Sequence, residues 1–447
     1  VLTFGTDGVR GRYGTELTDG DAHRLGRCAA AFLGAKHVVL GVDTRASGPA
    51  LAAALASGLS EAGCSVDYVG VAPTPAIATL ARLSDVAAAV VTASHNPWYD
   101  NGIKLFARGG VKLDDEQQES VERASQTAAR STDDAARAGS HDGASLTPSR
   151  TVLLRSYEDE VINAVARQAL AGMTIVVDCA NGAMSDVAPR VLGRAGARCV
   201  IINASPDGRN INDDCGATAP GRLTAAVIAA GAELGVAFDG DGDRLIAADH
   251  NGRVVDGDRL IALAAIDCAQ RGVLRGSGVV VTTMTNLGFH EAMQRAGIDV
   301  VVTPVGDRSV SAALDAHDFV LGGEQSGHII HRLHSTSGDG LLSALLLADL
   351  VKRRKQPLAE LATAVMESYP QVLRNVRVAE KPANIDDVIG IDIATERAAL
   401  GERGRIVVRV SGTEPVVRVM VEAPDASTAN ACAQRIVELV ERTFSVV

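Results

Sequence analysis

The segment LGVAF at 234–238 runs straight into DGDGDR at 239–244. A short apolar run before a polar loop reads as a buried strand and its carboxyl end, where ligands sit in open α/β sheets. Asp239, Asp241 and Asp243 alternate with glycines. On an extended strand such side chains stand roughly 6.6 Å apart, too far for one small cation. Gly240 and Gly242 let the backbone curl so that the carboxylates converge. Converged carboxylates repel by about 1 kcal/mol per pair at 4 Å in water, and by ~4 kcal/mol at an effective dielectric of 20. A divalent cation removes that cost. Hard oxygen ligands favour Mg²⁺ or Ca²⁺, and Mg²⁺ suits a site completed by a phosphate oxygen. An EF-hand would need Gly where Arg244 stands and Glu where His250 stands, so that alternative fails. A solvated Asp-Gly turn is the plainer competitor.

Two further strands end in loops of the same kind. The run at 86–91 leads into Thr92-Ala93-Ser94-His95-Asn96-Pro97, and the run at 319–321 leads into Gly322-Gly323-Glu324-Gln325-Ser326-Gly327-His328. Upstream of each loop comes a helix, an Ala-Gly stop and another apolar strand: Ala62-Gly63 before 66–69, Ala195-Gly196 before 199–202, Ala296-Gly297 before 299–302. Glycine at the stop takes the left-handed turn that ends a helix. A repeated helix–strand unit of this kind predicts three related α/β domains with mixed, largely parallel sheets. The segment 125–149, rich in Ser, Thr, Asp, Ala and Gly, reads as a surface connection. The tail differs. Strands at 372–378, 405–410 and 416–421, interleaved with helices at 385–400 and 426–444, predict an α+β domain with a hairpin around 411–415. The expected division is 1–150, 151–252, 253–367 and 368–447.

Composition narrows the function. The 447 residues carry 43 basic and 54 acidic side chains, a net charge of −11, which argues against nucleic acid held by the overall field. Aromatics are 3%, so a ligand site resting on stacking is not expected. The seven cysteines form no C-x-x-C pair, so neither a zinc site nor a disulfide framework is indicated. No apolar run of eighteen residues and no signal-peptide pattern is found, which predicts a cytoplasmic protein without a membrane partner.

Other segments are ambiguous one at a time. S-H-N-P around Ser94 reads equally as a turn and as a nucleophile's loop. His95 would face away from Ser94 on a regular strand. Lys104 reads equally as a solvated lysine and as a phosphate ligand. Arg409-Val410-Ser411-Gly412-Thr413-Glu414-Pro415 could cradle phosphate, although a hairpin turn accounts for it as simply. Glu324, Ser326 and His328 would share one face of an extended chain, suited to sugar hydroxyls, while His331 and His334 read as exposed. Phe4-Gly5-Thr6-Asp7-Gly8-Val9-Arg10-Gly11 suits close backbone approach to a ligand, or turns. No Walker motif, no clean G-x-G-x-x-G and no G-x-S-x-G is present, which removes support for nucleotide-dependent kinases, dehydrogenases and triad hydrolases.

Taken in order, F-G-T-D-G, T-A-S-H-N-P with N-G-I-K, D-G-D-G-D-R, G-E-Q-S-G-H and R-V-S-G-T-E-P resemble the α-D-phosphohexomutase superfamily over nearly the whole chain. Phe4 to Gly11, Trp98-Tyr99-Asp100-Asn101, Met284-Thr285-Asn286-Leu287-Gly288, Gly306-Asp307-Arg308 and Gln325 resemble its bacterial phosphoglucosamine mutase branch. The resemblance implies four domains, the last similar to the TATA-binding-protein fold. It implies that Ser94 carries the phosphoryl group and that Asp239, Asp241 and Asp243 hold Mg²⁺ with a phosphoserine oxygen. Arg10, Lys104 and Arg244 would surround the phosphoryl, Glu324 and Ser326 would contact sugar hydroxyls, and Arg409, Ser411, Gly412 and Thr413 would hold the distal phosphate. Lys104 and His328 are the candidates for moving protons. The implied reaction interconverts glucosamine 6-phosphate and glucosamine 1-phosphate through a hexosamine 1,6-bisphosphate, supplying UDP-N-acetylglucosamine and cell-wall synthesis, in a homodimer. Glucose or mannose phosphates are the alternative substrates, and a non-catalytic sugar-phosphate sensor is the alternative from another class. Val42, Ala217, Ala219 and Ser309 depart from the family's usual residues and lie outside the five loops.

Overall fold

Three α/β sheets share one wiring. In the first, His37–Val42 lies parallel to Ser65–Val71 on one side and to Ala87–Val91 on the other, and Asp100–Ala107 returns antiparallel to Ala87–Val91. In the second, Thr174–Asp178 lies parallel to Arg198–Ile202 and Leu234–Phe238, with Leu245–Asp249 returning antiparallel. In the third, Gly278–Thr282 lies parallel to Asp299–Thr303 and Leu321–Gly323, with Ile329–His331 returning antiparallel. Each antiparallel return is made by one of the three chemical loops, so the same step in each repeat delivers a functional segment. Ala87–Val91, Leu234–Phe238 and Gly278–Thr282 are buried along their whole length, as strands covered on both faces must be. Gly8–Arg12 extends the first sheet beside Asp100–Ala107. The computed structural model describes residues 4–5, 8–33, 36–129, 146, 150–380, 385–410 and 415–444.

The tail is an antiparallel sheet in which Val416–Glu422 pairs with both Gln371–Arg377 and Arg405–Val410. The helices Asp386–Leu400 and Ala426–Thr443 complete it. A cluster including Ile389, Ile393, Val417, Val419, Cys432 and Ile436 forms its own core. Its joint to the third sheet is polar: Glu422 accepts hydrogen bonds from the Leu287 amide (3.1 Å) and Arg405 Nε (3.1 Å). Asn286 Nδ2 donates to the Tyr369 carbonyl at 2.9 Å.

The first three sheets are bound by one continuous apolar cluster. Helix Gly340–Arg354 contributes Leu341, Leu342, Leu345, Leu347, Leu350 and Val351 to it, an apolar surface wider than one stripe, as expected of a helix packed on several sides. Asp339 caps this helix by accepting from the Leu342 amide (3.0 Å), and the buried Tyr157 hydroxyl donates to the same carboxylate (3.0 Å). No helix among the described residues is long and apolar enough to cross a membrane.

Several expected boundaries move, two of them for a visible physical reason. Helix Asp115–Ala129 continues into the predicted connection 125–149, because Gln118, Val121 and Ser125 bury one helical face; residues 130–145 and 147–149 lie outside the described residues. The strand expected at 319–321 is Leu321–Gly323. Asp318 takes a left-handed conformation and the Phe319 amide donates to the Leu314 carbonyl at 2.9 Å, so these residues finish the preceding helix.

Helices Asp19–Leu33 and Gly48–Glu61 cross where glycine is obligatory: a Cβ at Gly58 would stand 2.0 Å from the His23 carbonyl oxygen. Gly58→Ala is expected to lower unfolding free energy by about 2 kcal/mol, since overpacking outweighs the ~1 kcal/mol that alanine gains in helix propensity. Urea denaturation checks this, and an unchanged or higher midpoint would show that the crossing tolerates a methyl group.

Candidate active site

The Ser94 loop is built from the first sheet and held by a buried guanidinium. The Thr92 amide closes on the Gly102 carbonyl (2.9 Å), and Thr92 Oγ1 donates to Asp43 Oδ2 (2.6 Å) while accepting from the Ser94 amide (2.9 Å). Arg45 is 1% exposed, pairs with Asp43, and donates to the carbonyls of Ser94 (3.1 Å) and Asn96 (2.6 Å). Asn212, from the segment between the second sheet's strands, donates to the same two carbonyls at 2.9 and 3.1 Å. Clamped so, Ser94 holds φ at +52°. That left-handed state is rarely populated by a residue with a side chain and costs of order 1–3 kcal/mol. The clamp aims the hydroxyl across to the second sheet, where Ser94 Oγ donates to Asp239 Oδ2 at 2.6 Å.

Asp239, Asp241 and Asp243 are all buried, with one ligand oxygen from each lying within 4.8 Å of the others. Gly242 sits at φ +74°. Gly240 admits the serine loop, since a Cβ there would stand 2.6 Å from the Ser94 carbonyl oxygen. Lys104 Nζ donates to Asp241 (2.8 Å) and Asp243 (3.1 Å), and Thr74 Oγ1 donates to Asp241 at 2.7 Å. Burial, then Asp243 and Asp241, push the Asp239 carboxyl well above the usual range. Burial acts upward on Asp243 too, but Lys104, His328 and Arg244 outweigh it and hold that carboxyl well below the usual range. The Oδ1 atoms of Asp241 and Asp243 are buried without a hydrogen-bond partner. A six-coordinate cation with bonds of about 2.1 Å sets its ligands roughly 3–4 Å apart, so this hard-oxygen nest fits one divalent cation with little contraction.

Around the nest stand the other predicted groups. Arg10 lies on Gly8–Arg12 opposite Gly102 of the neighbouring strand. Burial opposes the Arg244 charge, and Asp239, Asp243, Glu324 and Asp241 overcome it, leaving the guanidinium pKa raised. His95, expected to face away, approaches Ser94 Oγ to 3.4 Å because Ser94 is left-handed rather than extended. Burial, then Arg244 and Arg10, push the His95 imidazole down to about 4, so it is neutral near pH 7. His328 Nδ1 lies 3.6 Å from Asp243 Oδ1, its buried Nε2 has no hydrogen-bond partner, and Gly338 packs against its ring.

Beyond the strand Leu321–Gly323, the chain does not stay extended through 324–328. The Gly327 amide donates to the Glu324 carbonyl at 2.9 Å, with Gly327 at φ +89°, so the chain turns tightly and leaves Ser326 exposed at its tip. Glu324 Oε1 accepts from the Gly306 amide at 3.0 Å. His334 is exposed as expected, but His331 is buried, because it ends a strand covered by the core; burial drives its imidazole down to about 3. Arg409 lies opposite Arg418 on paired strands, and burial followed by that like charge lowers its pKa. Ser411, Gly412 and Thr413 lie outside the described residues, as do Thr6 and Asp7. Among the described residues no hydrogen bond or ion pair joins Arg409 to Ser94 or Asp239.

The sequence reading missed Asp43, Arg45, Thr74 and Asn212. Asp43-Thr44-Arg45 had a usable signal, a charged triplet at the carboxyl end of the 37–42 strand. Thr74 and Asn212 had none, for they act on loops that are distant in sequence.

Models of the four phosphoglucomutase/phosphomannomutase domains match this chain in order: α/β/α domain I over residues 1–131, domain II over 155–252, domain III over 256–369, and the C-terminal domain over 373–439. A phosphoglucosamine mutase of Frankia casuarinae is 46% identical over 454 residues, covering 98% of both chains. One from Rhodococcus opacus is 46% identical over 443 residues, covering 97% of this chain and 98% of the relative. The chain belongs to the phosphoglucosamine mutase family. Among solved structures, a phosphoglucomutase/phosphomannomutase family protein of Burkholderia thailandensis superposes with TM-score 0.80 at 24% identity, covering 98% of this chain and 97% of that one. An Aspergillus fumigatus N-acetylphosphoglucosamine mutase, in complex with GlcNAc-6P and magnesium, gives TM-score 0.71 at 18% identity, covering 100% and 96%. Both show the shared fold.

The Asp43–Arg45 pair in this family member is testable by a double-mutant cycle. Arg45→Met strands a buried carboxylate and is expected to cost about 3–5 kcal/mol, whereas Asp43→Asn/Arg45→Met recovers more than half of it. Additive losses in guanidinium denaturation would show that the two side chains act independently.

Proposed function

We propose that this mutase moves a phosphoryl group between O6 and O1 of glucosamine, with Ser94 as its carrier. The observation that carries the proposal is the Ser94 hydroxyl, 2.6 Å from Asp239 within a buried three-carboxylate nest that also holds Lys104. Phosphorylated Ser94 transfers its group to the free O1 of glucosamine 6-phosphate, with the O1 proton leaving to a base as the new P–O bond forms and the serine P–O bond breaks. The resulting 1,6-bisphosphate turns end for end. Ser94 Oγ then takes the phosphoryl from O6, and O6 regains a proton, leaving glucosamine 1-phosphate.

We assign the residues these roles. Asp239, Asp241 and Asp243, with a phosphoserine oxygen, are the proposed ligands of Mg²⁺, which would supply charge neutralisation at the phosphoryl group. Arg10, Lys104 and Arg244 add fixed positive charge where the transferring group spreads its own. Lys104 is committed to two carboxylates, whereas His328 keeps a buried ring nitrogen without a partner. This supports His328 as the proton carrier and Lys104 as an electrostatic group. Glu324 and Ser326 are assigned to sugar hydroxyls, and Arg409, Ser411, Gly412 and Thr413 to the distal phosphate. A hexosamine 1,6-bisphosphate is the proposed activator, and a homodimer in the cytoplasm the proposed setting.

Ser94→Ala should abolish isomerisation and remove the phosphate adduct seen by intact-mass measurement after incubation with glucose 1,6-bisphosphate. Lys104→Met should lower kcat by about 10²–10³. Parallel kinetics should give higher kcat/KM with glucosamine 6-phosphate than with glucose or mannose 6-phosphate. Better use of either neutral sugar would overturn the substrate, and bound ligand without any adduct on the intact chain would make it a sensor.

A further inference from the structure

A cleft of about 410 Å³ lies on the first domain beside the second, lined by Arg12, Arg209, Trp98, Tyr99, Ala46 and Ala50 among others. None of the groups assigned to phosphoryl transfer lines it. Its chemistry departs from the rest of the molecule. Aromatics are 3% of the chain, yet Trp98 and Tyr99 stand here together, edge to face at 5.9 Å, with 39% and 42% of their surfaces exposed. Arg12 lies over the Tyr99 ring at 5.0 Å and Arg209 over the Trp98 ring at 5.3 Å. Among the described residues neither guanidinium has a carboxylate partner, although both are exposed. Exposed arginines would ordinarily wander; stacked on rings they are pre-organised, with their N–H edges left for an oxyanion.

We propose that this cleft binds a nucleoside diphosphate, with its phosphates on Arg12 and Arg209 and its base against the Trp98–Tyr99 pair. A volume of this size fits a small ligand rather than a polymer. The net charge of −11 likewise disfavours a nucleic acid. Inorganic phosphate alone would leave the aromatic wall unused, and an uncharged aromatic would leave both guanidiniums unused. Occupancy would be felt by the Ser94 loop. Trp98 and Tyr99 continue directly from it, the Tyr99 carbonyl accepts from the Tyr13 amide at 3.1 Å, and Ala46 follows the Arg45 clamp and donates its amide to the Gly208 carbonyl at 2.9 Å.

Trp98 is the sole tryptophan of the chain, so its fluorescence reports on this cleft directly. The full-length protein, with magnesium present, is titrated with ADP, UDP, pyrophosphate and uridine, and calorimetry is run on the same solutions. A saturable response to ADP or UDP is expected, with pyrophosphate and uridine each binding at least about tenfold more weakly. Arg12→Ala and Arg209→Ala, both at exposed positions, should each weaken nucleotide binding about tenfold, the scale of one charge-assisted contact, and leave basal mutase turnover unchanged. No saturable heat or fluorescence change with either nucleotide overturns the proposal. So does binding that survives both variants, which would place the nucleotide in the catalytic cleft, and so does pyrophosphate binding as tightly as ADP.

Discussion

Three carboxylates gathered in a buried nest cannot all carry charge without a cation, and the rest of the catalytic centre is arranged around that fact. At separations near 4 Å and an effective dielectric of 20, each ionised pair costs about 4 kcal/mol. The protein answers in part with its own charges: Lys104 on two of the three, Arg244 beside them, and Asp239 pushed toward its neutral form. Two oxygens are still left without partners. The Ser94 hydroxyl donates to Asp239, the third of these carboxylates, so the phosphoryl group we propose it carries would enter the same nest.

Bringing the serine there is a problem between domains, since Ser94 and Asp239 belong to different sheets. Glycine removes the steric obstacle at Gly240, and a network of backbone hydrogen bonds supplies the register. Arg45 and Asn212 grip the same two carbonyls from opposite domains, and Thr74 ties its own helix start to Asp241 through both its amide and its hydroxyl. Main-chain contacts of this kind fix position without competing for the side chains that react. The third repeat is joined in the same way, through the Leu245 amide on the Gly327 carbonyl and the Gly340 amide on the Gly242 carbonyl. Three copies of one strand–loop–strand step therefore meet at their loops, which is where a multi-part phosphoryl site needs them.

Much of this is legible in the sequence. The acidic loop, the three strand–loop junctions and the hairpin of the tail are local patterns, and local patterns survive folding: Leu234–Phe238 and Arg405–Val410 keep the ends assigned to them. What escaped was set by tertiary context. The Asp43–Arg45 clamp is ordinary charge in sequence and becomes a positioning device only because both side chains are fully buried. Strand alternation puts His95 on the far side from Ser94, but it does not hold for a residue pair whose first member is left-handed. Alternation along 324–328 fails because Gly327 turns the chain, and the polarity of His331 points to the surface although a strand ends on it in the core.

The most direct measurement is calorimetric titration of Mg²⁺ into the chain with Ser94 phosphorylated and with Ser94 free. If the serine-borne phosphate completes the carboxylate nest, the phosphorylated form binds the metal at least about tenfold more tightly, the worth of one charged ligand, and Asp241→Asn erases most of that gain. Equal affinities in the two forms, or a gain untouched by loss of Asp241, would contradict a shared site for serine and aspartates.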